Sequence, residues 1–115
     1  MSLDVCLYVY VNTGGDEPRQ ITLFEANITH NLNEMAKEAG IYKSLWRPEE
    51  IGAKQAKDII PAIETGLALM KSDRTRFEKF NSPNGWGMYD NFIPWVEKYL
   101  EACKENPECF IQVSC

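Results

Sequence analysis

Leu3-Asp-Val-Cys-Leu-Tyr-Val-Tyr-Val11 places an apolar side chain at every second position. Leu3, Val5, Leu7, Val9 and Val11 fall on one side, and Asp4, Cys6, Tyr8 and Tyr10 on the other. That period of two reads as a β-strand with one well-buried face. Asn12-Thr-Gly-Gly-Asp-Glu-Pro18 follows with the residues of a long turn, where Gly permits positive φ and Pro fixes it. Gln20 to Asn27 reads as a second strand, with Ile21, Leu23 and Glu25 expected to alternate against Thr22, Phe24 and Ala26. The two strands form a hairpin. At the far end of the chain, Cys109 to Ser114 alternates again and supplies a third strand.

Helical spacing occupies the middle. Asn31-Leu-Asn-Glu34 fits a capping box, and the helix it opens carries Leu32, Met35, Ala36 and Ala39 before Gly40 closes it. Ile41 to Pro48 reads as compact and partly irregular. Ala56, Ile59, Ile60, Ile63, Leu67 and Met70 predict a long helix over 54–71, with Pro61 in its first turn or at a kink. Asp73 suits the cap of a short helix holding Phe77 and Phe80. Asp90 opens a last helix with Phe92, Ile93, Val96, Tyr99, Leu100 and Cys103 inward and Pro94 in its first turn; Asn106-Pro107 ends it. The principal order is β-β-α-α-α-β over one α+β domain spanning residues 1–115. The predicted fold is a small antiparallel sheet of about three strands, the outer two flanking the first, with helices on one face.

Composition sets the outer bounds. A chain of 115 residues, 44% hydrophobic and 25% charged, is ordinary for one folded domain. The net charge of −5 opposes binding to bulk nucleic acid, which relies on Lys and Arg to neutralise phosphates. A small phosphorylated ligand is still compatible with a local cationic pocket. No apolar run has the length needed to span a bilayer, and residues after Met1 do not resemble a secretory leader. The expected location is the cytoplasm. The four cysteines, Cys6, Cys103, Cys109 and Cys115, contain no C-x2-C pair. They read as free thiols rather than zinc ligands, with Cys109 and Cys115 on one face of the third strand. No metal and no cofactor is expected.

Three polar–aromatic segments stand out: Asn27-Ile-Thr-His-Asn31, Leu45-Trp-Arg-Pro48 and Asn84-Gly-Trp-Gly-Met-Tyr89. His30 is the sole histidine, at a strand-to-helix junction where helix N–H groups favour anions; capping or packing explains the same position. Trp46 could stack a base while Arg47 pairs with a phosphate. Alternatively, Trp46 plugs a gap between helices and Arg47 bridges to Glu49 or Glu50. Glycines on both sides of Trp86 let the backbone approach a ligand or another part of the chain. The candidate ligand-binding set is Asn27, His30, Asn31, Lys43, Trp46, Arg47, Trp86 and Tyr89. No nucleophile–His–acid signature, P-loop or dinucleotide fingerprint is present, which argues against catalysis.

Asn27-Ile-Thr-His-Asn31, Ala39-Gly-Ile-Tyr42, Leu45-Trp-Arg-Pro48, Asn84-Gly-Trp-Gly87, Tyr99-Leu-Glu-Ala-Cys103 and the final Ile111-x-Val-Ser114 together resemble a family of small phage and prophage proteins. The resemblance covers nearly the whole chain and implies phage origin, without an assigned activity. Members tend to end in an arginine after the Val-Ser pair; Cys115 stands there in this chain, so no contact from that position is carried over. Small phage proteins often interfere with host defence, some by sequestering nucleotide-derived immune signals. The leading expectation is such a non-catalytic binder of a nucleotide-like ligand in the host cytoplasm. Two alternatives are an inhibitor that plugs a host defence protein, and a small hydrolase using His30. Homo-oligomers are compatible with each.

Overall fold

The computed structural model describes residues 2–115. Within them the alternating segments form one three-stranded antiparallel sheet in the order β2-β1-β3, and the periodic segments form helices, giving the α+β class. The elements are β1 (Ser2–Val11), β2 (Arg19–Thr29), α1 (Asn33–Ala39), α2 (Tyr42–Trp46), α3 (Ile60–Ser72), α4 (Arg74–Glu78), α5 (Tyr89–Glu105) and β3 (Phe110–Ser114). Leu3, Val5 and Leu7 are buried against the helices, whereas Asp4 and Tyr10 on the opposite side are exposed. The buried set they join includes Met35, Ile63, Met70, Phe92 and Val96.

The second strand departs from the expected alternation. Leu3, Val5 and Leu7 face Ile28, Ala26 and Phe24, but Tyr8 then faces Thr22, so Leu23 is an extra residue in β2. A bulge of this kind reverses which residues share a face on its two sides. Phe24, Ala26 and Ile28 therefore turn to the helices and Glu25 lies on the open face, while Ile21, opposite Val9 beyond the bulge, is on the helix side of the sheet but exposed. Leu23 is half exposed.

Helix boundaries differ from expectation where tertiary bonds compete with helical ones. The first turn after β2 is a short 3-10 segment, His30–Leu32, capped by Thr29 rather than Asn31: the Thr29 hydroxyl accepts from the Asn31 amide at 3.3 Å. Gly40 ends α1 in the left-handed conformation, as its position suggested. Residues 54–58 do not join α3. The Ala56 and Lys57 amides donate to Cys109 O and Pro107 O at 2.8 and 2.9 Å, and Ile111 N donates to Lys54 O, so this stretch runs beside the start of β3. Asp58 then gathers the Lys54 and Gln55 amides on one carboxylate oxygen at 3.0 Å each. Those two bonds hold its pKa below the usual carboxylate value. Pro61 lies in the first turn of α3, where a missing N–H is harmless.

Asp73 occupies the cap position of α4 without a side-chain bond, and Phe77 is buried while Phe80 follows the helix half-buried. Pro94 sits in the second turn of α5 rather than the first, so the Asp90 carbonyl four residues earlier has no helical donor. Cys109 is buried just before β3 and Cys115 is exposed just after it, so neither is a strand residue; all four thiols are free. α3 passes close to the junction of α1 and α2 at Gly66. A Cβ there would stand 2.2 Å from Ile41 Cγ2 and 2.9 Å from Ala39 O.

Candidate ligand-binding recess

The 81–88 loop is built by its own polar side chains. Asn84 Oδ1 accepts from Ser82 Oγ at 2.6 Å and from the Trp86 amide at 2.9 Å. Ser82 N donates to Gly87 O, Gly85 N donates to Ser82 O, and Asn81 Oδ1 accepts from Tyr89 N at 2.7 Å. Gly85 and Gly87 have φ of +80° and +113°, a region closed to most side chains. Gly87 has a second constraint, since a Cβ would stand 2.9 Å from Asn31 Cβ. The loop is fixed to the end of β2 by Asn31, whose amide nitrogen donates to Trp86 O at 2.8 Å. The backbone is thus held down while the Trp86 indole is displayed, 70% exposed.

Beneath the indole is an open recess of about 600 Å³, lined by Ser2, Asn27, Ile28, Thr29, Asn31, Asn84 and Trp86. Three of the residues expected from the sequence, Asn27, Asn31 and Trp86, meet here. Asn27 also borders a second hollow, of about 570 Å³, on the open sheet face, with Asp4, Cys6, Glu25 and Gln112. The main chain at Asn27 is fixed from the other side, where Trp95 Nε1 donates to its carbonyl at 2.9 Å. Asn31 and Asn84 spend one end of each amide on the loop, leaving the Asn31 oxygen and the Asn84 nitrogen for other partners. The lining carries amides, hydroxyls and one indole, and no charged side chain.

The other expected residues are placed elsewhere. Trp46 is 1% exposed and stacked on Tyr42, with centroids 5.4 Å apart. Its indole N–H donates to His30 Nδ1 at 3.1 Å, while the Asn33 amide lies 2.9 Å from Nε2. An indole N–H can only donate, so Nδ1 carries the lone pair and Nε2 of the neutral ring carries the proton. A protonated Nε2 needs an acceptor, so the Asn33 side-chain amide, placed with Nδ2 at 2.9 Å from Nε2, is assigned the turned-over orientation that presents its oxygen. Both nitrogens of His30 are engaged, which leaves no lone pair to accept a substrate proton.

Arg47 and Lys43 share Glu50, at 4.0 and 3.8 Å, on an exposed patch. Cys115 first, and then a hydrogen bond with the Tyr42 hydroxyl, raise the Arg47 pKa further. Lys43 borders a different, mostly apolar hollow with Lys37, Tyr42 and Ile51. Tyr89 is buried, its hydroxyl donating to Met70 O at 2.8 Å and its ring lying under the Arg74 guanidinium.

Ser2, Ile28, Thr29 and Asn84 line the recess although they are outside the candidate set; Ile28, Thr29 and Asn84 do fall within the segments that stand out in the sequence. Asn84 could have been found, because it opens the Asn-Gly-Trp-Gly motif. Ser2 has no local signal and joins only through pairing with Thr29. No group of three or more His, Cys, Asp or Glu side chains placed to hold a metal ion occurs among the described residues, and no helix there is long and apolar enough to cross a membrane. Comparison with family models, with curated proteins and with solved structures finds no match.

Proposed function

We propose that this chain is a non-catalytic binder of a nucleotide-like ligand, of the phage type that sequesters a host immune signal. The observation that carries the reading is Trp86: a large indole kept in solvent by a loop braced from both sides, directly over a recess of unspent amide groups. Leaving such a side chain exposed forgoes roughly 1.5–3 kcal/mol of burial, and a stacking platform for a flat ring gives that cost a use. The amides and hydroxyls suit the polar edges of a base and the hydroxyls of a ribose. No cation lines the recess, so we assign it the base-and-ribose part of the ligand and leave phosphates to solvent or to other side chains. The occupied nitrogens of His30 favour binding over hydrolysis. The resemblance of the sequence motifs to phage proteins supports the biological side of the reading.

Isothermal titration with cyclic dinucleotides, ADP-ribose derivatives and adenosine tests it. Binding is expected for at least one, with the ligand recovered unchanged after incubation. Trp86→Ala is expected to weaken that binding by tenfold or more, since stacking on one aromatic contributes about 1–3 kcal/mol. Trp46→Phe is expected to leave it unchanged. Absence of binding to all of them, or turnover of the bound ligand, removes the reading.

A further inference from the structure

The order β2-β1-β3 makes β2 an outermost strand, and at 11 residues it is the longest in the sheet. Exposed edges of that length are hazards that proteins blunt with Lys, Pro or a covering element. β2 contains neither Lys nor Pro, although its bulge at Leu23 is itself one device that limits pairing. One end is covered, where the Trp95 indole takes the Asn27 carbonyl. From Glu25 to Arg19 no side chain or loop main chain bonds to the β2 backbone among the described residues. Along this stretch Ile21 and Leu23 are exposed and Phe24 is half-buried.

Phe24 is also the floor of a groove of about 300 Å³ between β2 and α5, which it lines with Ala102, Glu97, Lys98, Glu101 and Glu105. The three glutamates recur every fourth residue and so form one ridge on α5. Glu97 is neutralised by Lys71 at 2.8 Å, whereas Glu101 and Glu105 have no ion-pair partner among the described residues. An unpaired strand edge, an apolar floor and an acidic wall thus lie side by side.

We propose that the β2 edge between Arg19 and Glu25 docks an extended, cationic segment of a partner protein, which adds to the sheet as a fourth strand. Main-chain bonds to the free edge supply the affinity, and alternate side chains supply the selectivity. On the helix-facing side, Lys or Arg residues of the segment lay their stems over Phe24 and bring their charges to Glu101 and Glu105, while the intervening residues lie on the open face. The bulge at Leu23 keeps the docked stretch short. A second copy of this chain is a poorer occupant. It brings a net charge of −5 and a second acidic groove toward the first, and like charges oppose the approach. This site is separate from the Trp86 recess and does not depend on the reading given to it.

The test titrates the ¹⁵N-labelled full chain with a peptide of about seven residues, a common strand length, in which Lys and Val alternate. Amide shifts and slowed hydrogen exchange are expected at Ile21, Leu23 and Glu25. The Glu101→Lys, Glu105→Lys double variant, altered only at exposed helix positions, is expected to bind about tenfold more weakly, a loss typical of reversed rim charges. A peptide alternating Glu and Val is expected not to bind. The proposal is overturned by an unperturbed β2 edge, by equal binding of the acidic peptide, or by protection of the edge that grows with protein concentration alone, which assigns it to a second copy.

Discussion

Burial divides the four cysteines by reactivity. Cys103 is fully buried, and burial pushes its pKa up to about 12, with Cys109 adding to the shift. Burial alone raises Cys109, and burial is the first cause at Cys6; Cys115 is exposed. A thiol reagent at pH 8 is expected to label Cys115 first and Cys6 more slowly, and to reach Cys103 and Cys109 only in denaturant. The unfolded chain releases the Cys103 proton near its ordinary value of 9.0, while the folded chain keeps it to about 12. The unfolded state then binds fewer protons over that window, so stability falls as pH rises. The loss from this one thiol is about 1 kcal/mol at pH 10, read as a lower urea midpoint than at pH 8. At this scale the sequence is legible in kind but not in partner. Free thiols follow from spacing. His30 stands at a strand-to-helix junction as expected, but no local pattern says that Trp46 would occupy its Nδ1. The reverse holds for Trp86, whose flanking glycines announce a constrained loop while the amides beneath it come from a strand end far away in sequence.

Gly66 shows how one position fixes the packing of an element. Alanine is intrinsically the better helix former by about 1 kcal/mol. Here its methyl would overlap Ile41 Cγ2 and press on Ala39 O, a backbone atom that cannot rotate away. Gly66→Ala is therefore expected to destabilise by about 1–3 kcal/mol, the range for overpacking, measured by urea or thermal unfolding. Nothing in the helical periodicity of 59–70 marks this glycine, because the constraint comes from another helix pair. The same distinction separates the elements that were readable from those that were not. β1 and the core faces of α3 and α5 follow from strong, uninterrupted periods. β2 was readable as a strand but not in its facing, since a bulge adds a residue without any change in composition. Residues 54–58 continue the apolar spacing of α3, yet their amides find partners at Pro107 and Cys109, which only the folded chain supplies. Pro94 likewise falls just beyond the first turn rather than within it, because α5 already begins at Tyr89, whose amide donates to Asn81 Oδ1.

The molecule as a whole is longer than its size requires. A compact domain of this length has a radius of gyration of about 13 Å, against 15.0 Å over the Cα atoms here, with extents of 53 × 27 × 23 Å. The excess matches the hairpin: β3 pairs with β1 only from Asp4 to Tyr8, so Val9–Val11 and Arg19–Ile21 continue past it as a two-stranded arm. Ten strand residues span about 33 Å before the loop is counted, more than either short dimension. The arm gives the protein a distinctive signature in solution X-ray scattering. The expected pair-distance distribution is skewed, with a main peak from the helix-covered body and a thin tail reaching about 53 Å. A symmetric profile would mean that the arm folds back. The same projection sets the molecule's reach: the hairpin tip occupies space the body does not fill, so a large object approaching along the long axis from that end meets the tip first.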